Sequence, residues 1–237
     1  MAQSTTATYQ QILATANHWF EWKAVMGGVT YDKTQLISVS TSVTTMQGAP
    51  CIGNAASTEI NIQVLNPSGT IPKRGSIQLY VRAKSATQTS GWLAQGTFYV
   101  DTRKVTQTAE GINVLTIHGY DAMMLAVADY PDTNHDWPYL DKHVVAEIAS
   151  TIGVTVDSRT NQFLTSGYMV DLPANYTMRE TLEHIASSNG GNFVITNDNK
   201  LLFVPLYGFE YTEQGYYLAD ENNNAIKFGS EGWYILV

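Results

Sequence analysis

The run GTFYVDTRKVTQTAEGINVLTIHGYDAMMLA, residues 96–126, constrains the fold more than any other part of the chain. Residues 97–104 and 112–120 are rich in β-branched and aromatic side chains, and each predicts a strand. The polar connection 106–111 ends in Gly111, which tolerates a positive φ. The pair reads as a β-hairpin. Gly119–Tyr120–Asp121 then breaks the second strand, and Asp121 stands where a short helix starting at Ala122 needs an N-cap. The stretch is a junction, with β-sheet before it and mixed α/β after it.

The residues before the junction support the first half of that reading. Residues 1–22 form a polar arm ending in the aromatic cluster HWFEW, and residues 23–126 read as β. At 58–65, Ile60, Ile62 and Val64 alternate with Glu59, Asn61 and Gln63, the pattern of a half-buried strand. At 76–84, Ile77, Leu79 and Val81 oppose Gln78, Tyr80 and Arg82. Short strands are predicted at 23–26 and 36–45, with turns at Gly27–Gly28 and at 66–69. Such spacing suggests a small barrel or sandwich.

Residues 127–205 change character. A Pro- and Asp-rich connector, 129–141, precedes a helix at 142–152 with the apolar stripe Val144, Val145, Ile148, Ala149 and Ile152. The helix at 178–188 is better signalled. Thr177 and Glu180 have capping-box spacing, and Met178, Leu182, Ile185 and Ala186 form its apolar face. A hairpin at 193–205 closes a compact α/β unit. Residues 206–237 return to β character, with strands expected at 216–219, 226–228 and 233–237. The expected class is therefore α+β: a β-barrel-like domain, an inserted small α/β domain, and a return to β at the end.

Composition narrows the function. The net charge is −8, and the 13 Lys and Arg residues form no cluster larger than Lys73–Arg74 or Arg103–Lys104, which argues against a nucleic-acid-binding surface. Only 14% of residues are charged. That suits a subunit burying much of its exterior in an assembly, and equally an ordinary β-rich domain. No run approaches the ~18–20 apolar residues of a membrane span, and the first residues lack the features of a secretion signal.

No catalytic motif is present: neither G-x-S-x-G, nor a Walker sequence, nor H-E-x-x-H, nor G-x-G-x-x-G. Cys51 is the single cysteine, in a Gly-rich loop with no neighbouring base, and reads as a small apolar residue. Asp129, Asp132, His135, Asp136, Asp141 and His143 are the densest set of metal-ligand types, but Asp and Asn also dominate loops and caps. No cofactor is expected. Glu180 and Glu183 share one helix, whereas glycoside hydrolysis needs carboxylates facing each other across a substrate. Five tryptophans, at 19, 22, 92, 137 and 233, are scattered rather than clustered as in a glycan-binding module. Asp101, Arg103, His118, Asp121, Thr177 and Glu180 are candidates for structure and assembly, holding the hairpin, the turn and the capped helix.

Several motifs, in this order, carry a resemblance: QLIS at 35–38, CIGNA at 51–55, IPKR at 71–74, YVR at 80–82, GTFYVDTR at 96–103 and IHGYDAM at 117–123, then VDSRT at 156–160, YTMRE at 176–180, DEN at 220–222 and IKFG at 226–229. With them the chain resembles the tail (baseplate) hub proteins of phages and prophages of Gram-positive bacteria. The resemblance implies a homotrimer whose subunits each carry two related barrels, giving a six-fold-like ring that continues the tail tube. It implies contacts with the distal tail or tube protein, the tape-measure protein and tail fibre or tip proteins. It also implies that DNA passes without specific binding, and a place in the virion tail tip after assembly in the host cytoplasm. Residues 206–237 are too few for a second barrel, so an incomplete one is expected. The alternatives are a tail-associated peptidoglycan hydrolase or a host-glycan-binding module.

Overall fold

A computed structural model of the chain describes residues 5–43, 52–65, 67, 71, 73–131, 136–164, 167–206, 227–228 and 233–234. Cys51, Asp132, His135, most of the turn at 66–69 and the strand expected at 216–219 lie outside these residues. Two units are distinguished, Met1–Leu206 and Tyr207–Val237.

The first unit opens with α1 (Ala7–Leu13), capped by the Thr6 hydroxyl. The strands β1 (His18–Met26), β2 (Val29–Tyr31) and β3 (Leu36–Val43) follow. Next come β4 (Asn54–Ala56), β5 (Thr58–Leu65), β6 (Ser76–Ser85), β7 (Leu93–Gln107) and β8 (Asn113–Asp121). A 3-10 turn, Ala122–Val127, leads to β9 (Tyr139–Leu140) and α2 (Asp141–Thr151). The remainder is β10 (Thr155–Val156), α3 (Ser158–Phe163), β11 (Met169–Val170), α4 (Met178–Ser188), β12 (Gly191–Ile195) and β13 (Lys200–Pro205). The fold is α+β. Among the described residues no helix is long and apolar enough to cross a membrane.

Seven strands form the larger sheet, in the order β2-β1-β6-β7-β8-β5-β3. Their neighbours are antiparallel. Period-two alternation turns Ile60, Ile62, Val64, Ile77, Leu79, Leu115 and Ile117 to one side, where all are buried. Val29 and Tyr31 of β2 join this core from one edge strand, and Leu36 and Val39 of β3 join it from the other. A flat sheet would hold its two edges far apart. Their shared core means that the sheet curls into a half-barrel.

The smaller sheet has the order β10-β13-β12-β4. Phe193, Leu201 and Phe203 from its strands pack with Val144, Val145 and Ile148 of α2 and with Met178, Leu182 and Ile185 of α4. Met123 and Ala126 of the 3-10 turn enter the same core. Gly191 is required where β12 meets β13, since a Cβ there would lie 2.5 Å from the Val204 carbonyl oxygen.

β4 was not anticipated. Residues 54–56 precede β5 in sequence, yet they pair in parallel with β12, Asn54 opposite Asn192 and Ala56 opposite Val194. The chain thus visits the smaller sheet before returning to build β5. Strand β1 also starts at His18 rather than Lys23, because the HWFEW segment pairs with β6 from Ser85 to Val81 before the ladder continues to Ile77. The second unit contains β14 (Lys227–Phe228) and β15 (Trp233–Tyr234), an antiparallel pair.

Candidate functional site

β8 distributes the candidate residues between two faces. Leu115, Ile117, Gly119 and Asp121 turn inward, and Thr116, His118 and Tyr120 turn outward. Asp121 and His118 therefore act in different places.

Asp121 is 3% exposed. One carboxylate oxygen accepts from the Ser57 hydroxyl (2.9 Å) and from the Met123 amide (3.0 Å), and the other accepts from the Thr58 amide (2.7 Å). It caps the 3-10 turn as expected, and it also holds the link between β4 and β5. Burial pushes its carboxyl above the usual range, outweighing the hydrogen bonds from Thr58, Ser57 and Met123. Beside it, Gly119 lies opposite Val100, with room for no larger residue: an added Cβ would stand 2.3 Å from the Tyr99 carbonyl oxygen. The register shifts here, between Val100 and Thr102, so Asp101 sits in a β-bulge.

On the outer face His118 lies between two carboxylates. Its Nε2 is 2.7 Å from Glu59, and its Nδ1 is 3.6 Å from Asp101. Tyr120 packs edge-on against the imidazole at 4.8 Å. The Glu59 carboxyl is held below its usual range by hydrogen bonds from Asn61 and His118. Arg103 is exposed and lies opposite Ile117. Glu59 escaped sequence reading because only the strand register places it next to His118.

A second charged cluster was also missed. Glu21, on the outer face of β1, is 6% exposed. It takes hydrogen bonds from Arg82 (2.6 and 2.9 Å), Lys33 (3.2 Å) and Lys84 (3.3 Å). These cations, Arg82 foremost, bring its pKa down to about 2. Arg82 stacks on Trp92, and Lys23 lies over both Tyr80 and Trp92. An acidic residue inside the aromatic run HWFEW is the sequence signal of this network, and its partner Arg82 stands opposite it on the adjacent strand β6.

Thr177 and Glu180 make the capping box that their spacing predicts. The Thr177 hydroxyl accepts from the Glu180 amide, and Glu180 accepts from the Thr177 amide at 2.8 Å. Glu183 pairs with Arg179 on the same helix. Among the described residues no three His, Cys, Asp or Glu side chains are grouped to hold a metal ion. The connector residue Asp141 instead lies buried against Asn189.

The described side chains thus form braces and ion pairs around sheets with free edges. Among the described residues β3 pairs only with β5, and on the β6 side β7 has no partner beyond Val100, whose amide donates to the Gly75 carbonyl. Such edges accept further strands.

No family of known proteins matches the chain, and no curated protein matches its sequence. Solved structures do match it. The 43 kDa tail protein of prophage MuSo2 from Shewanella oneidensis is similar with a TM-score of 0.59 and 13% identity, over 81% of this chain and 57% of that one. A tail protein from Neisseria meningitidis MC58 is similar with a TM-score of 0.50 and 13% identity, over 78% of this chain and 50% of that one. The chain has the fold of phage tail proteins and spans about half the length of either.

Proposed function

We propose that the chain is a structural subunit of a phage tail tip, the hub type carried by phages of Gram-positive bacteria. It assembles as a homotrimer into a six-fold-like ring that continues the tail tube. Residues 23–126, whose strands form the curled sheet together with His18–Trp22, are its first tube-forming barrel, residues 127–205 are the inserted α/β unit, and residues 206–237 belong to a second barrel.

The observation that carries this reading is the outer edge of β3. Its eight residues, LISVSTSV, contain no charge and no proline, and most of them are exposed. Monomeric proteins protect edges with charge, proline or a covering element. An edge of this length, unpaired among the described residues, fits a strand contributed by a second subunit. The likeness in fold to the MuSo2 prophage tail protein and to the Neisseria tail protein supports the same reading.

The function is mechanical. DNA must pass through the ring without being held, so we propose a net acidic and polar lumen, which repels the phosphate backbone. The tube protein, the tape-measure protein and tail fibre or tip proteins are the proposed neighbours. Mass measurement under native conditions, with electron microscopy of the particles, tests the proposal. A trimeric ring is expected, and a stable monomer at micromolar concentration overturns it.

A further inference from the structure

A cleft of about 240 Å³ opens in the α/β half of the first unit. One wall is the segment from Tyr168 through β11 to Tyr176, and the other is the C-terminal half of α4, with His184 and Ser188. Neither wall has a part in the tail-subunit reading.

Two features make this more than a surface dent. The rim is apolar and open: Tyr168, Leu172 and Tyr176 are 48%, 44% and 46% exposed. The floor is polar and buried, and it lines the cleft. Asp141 is 1% exposed and Asn189 8%. Asp141 accepts from the Lys142 amide at 2.6 Å and from the Asn189 side chain at 3.2 Å, and among the described residues no cation pairs with it. A carboxylate offers about four acceptor sites, so the buried group keeps capacity for donors from a ligand. The rim is also held in place. The Tyr168 carbonyl accepts from the Asp141 amide and the Tyr176 carbonyl from the Tyr130 amide, both at 2.9 Å. His184 packs edge-on against the Tyr176 ring at 5.0 Å.

We infer that this cleft binds a pyranose sugar. A small, mostly apolar cleft with a few convergent polar groups is the general form of a ligand site. A pyranose matches this one on both sides. Its C–H face packs on tyrosine and leucine, while its hydroxyls donate to a buried acceptor. An apolar peptide side chain satisfies the rim but brings no donor to Asp141. The volume suits one ring. The source of the sugar, a host-surface glycan, rests on the tail reading, whereas binding itself does not.

Saturation-transfer NMR on the full chain, with a panel of hexoses and N-acetylhexosamines, tests the inference, followed by titration of the best ligand. Binding is expected, and Tyr176→Ala weakens it about tenfold, the loss typical of a central aromatic contact. Tyr176 is exposed, so this variant should unfold at the wild-type temperature, which is checked by circular dichroism. Failure of every sugar to bind overturns the inference. So does undiminished binding in a Tyr168→Ala, Tyr176→Ala double variant, or preferential binding of tetramethylammonium, which would make the cleft a cation site. A monomer that binds sugar would overturn the ring and leave this inference standing.

Discussion

Asp121 serves three donors from two directions, the Ser57 hydroxyl and the Thr58 amide across the β4–β5 link and the Met123 amide ahead of it. A lost cap costs about 1 kcal/mol, but removing this carboxylate also strands buried donors, each costing about 1–3 kcal/mol. Asp121→Ala should therefore lower stability by about 2–3 kcal/mol, read from urea unfolding. Gly119→Ala should cost about 1–3 kcal/mol, because its Cβ meets backbone rather than a side chain that can swing away. Glu21 gives a pH signature. Its folded pKa is about 2 against an ordinary 4.5. The folded carboxylate keeps its charge to lower pH than the unfolded one. Its contribution is complete above about pH 4.5 and is lost as pH falls towards 2. Glu21→Gln should flatten that acid limb of the stability–pH curve, measured as urea midpoints across the range. Asp121 was legible as a cap because capping is local in sequence. Its bonds to Ser57 and Thr58 were not, because they depend on which strands become neighbours.

At the scale of elements the same division recurs. α4 was readable end to end, since its box and its apolar stripe lie within one short segment. Thr177→Ala should lower the thermal midpoint by the equivalent of about 1 kcal/mol, with the fold retained by circular dichroism. β7 and β8 were readable from their β-branched runs. β1 was cut short because Trp19, Phe20 and Trp22 put large side chains on both faces and hid the alternation. β4 was invisible. Three residues carry no periodicity, and the Asn54 amide finds its acceptor on Asn192, 138 residues away. The cleft was missed for a related reason. Tyr168 to Tyr176 has no pattern of its own and gains meaning only from α4 across from it.

At the scale of the whole molecule, the proposed ring makes a demand on the β3 edge. Ser40→Lys with Ser42→Lys places charge on exposed positions of a strand end that now has none. These changes should leave the subunit folded and reduce its native mass to that of a monomer. Unchanged assembly would remove this edge from the interface. The barrel-like curl of the larger sheet was legible in its short, turn-separated strands, but the strand order that brings its two edges to one core was not, because it is decided by long-range pairing.

The detour of the chain through β4 has a practical consequence. An insertion is ordinarily removable, because its two ends leave and re-enter the host at one place. Here a piece of the earlier sequence is woven into the later unit, and Asp121 binds the two crossings to each other. Cutting out 127–205 and joining the ends should therefore yield insoluble protein rather than a free-standing barrel, with β4 left as an unclaimed strand. The two sheets are tied together through β4 and Asp121, so a pull applied to the α/β part is passed on to the larger sheet.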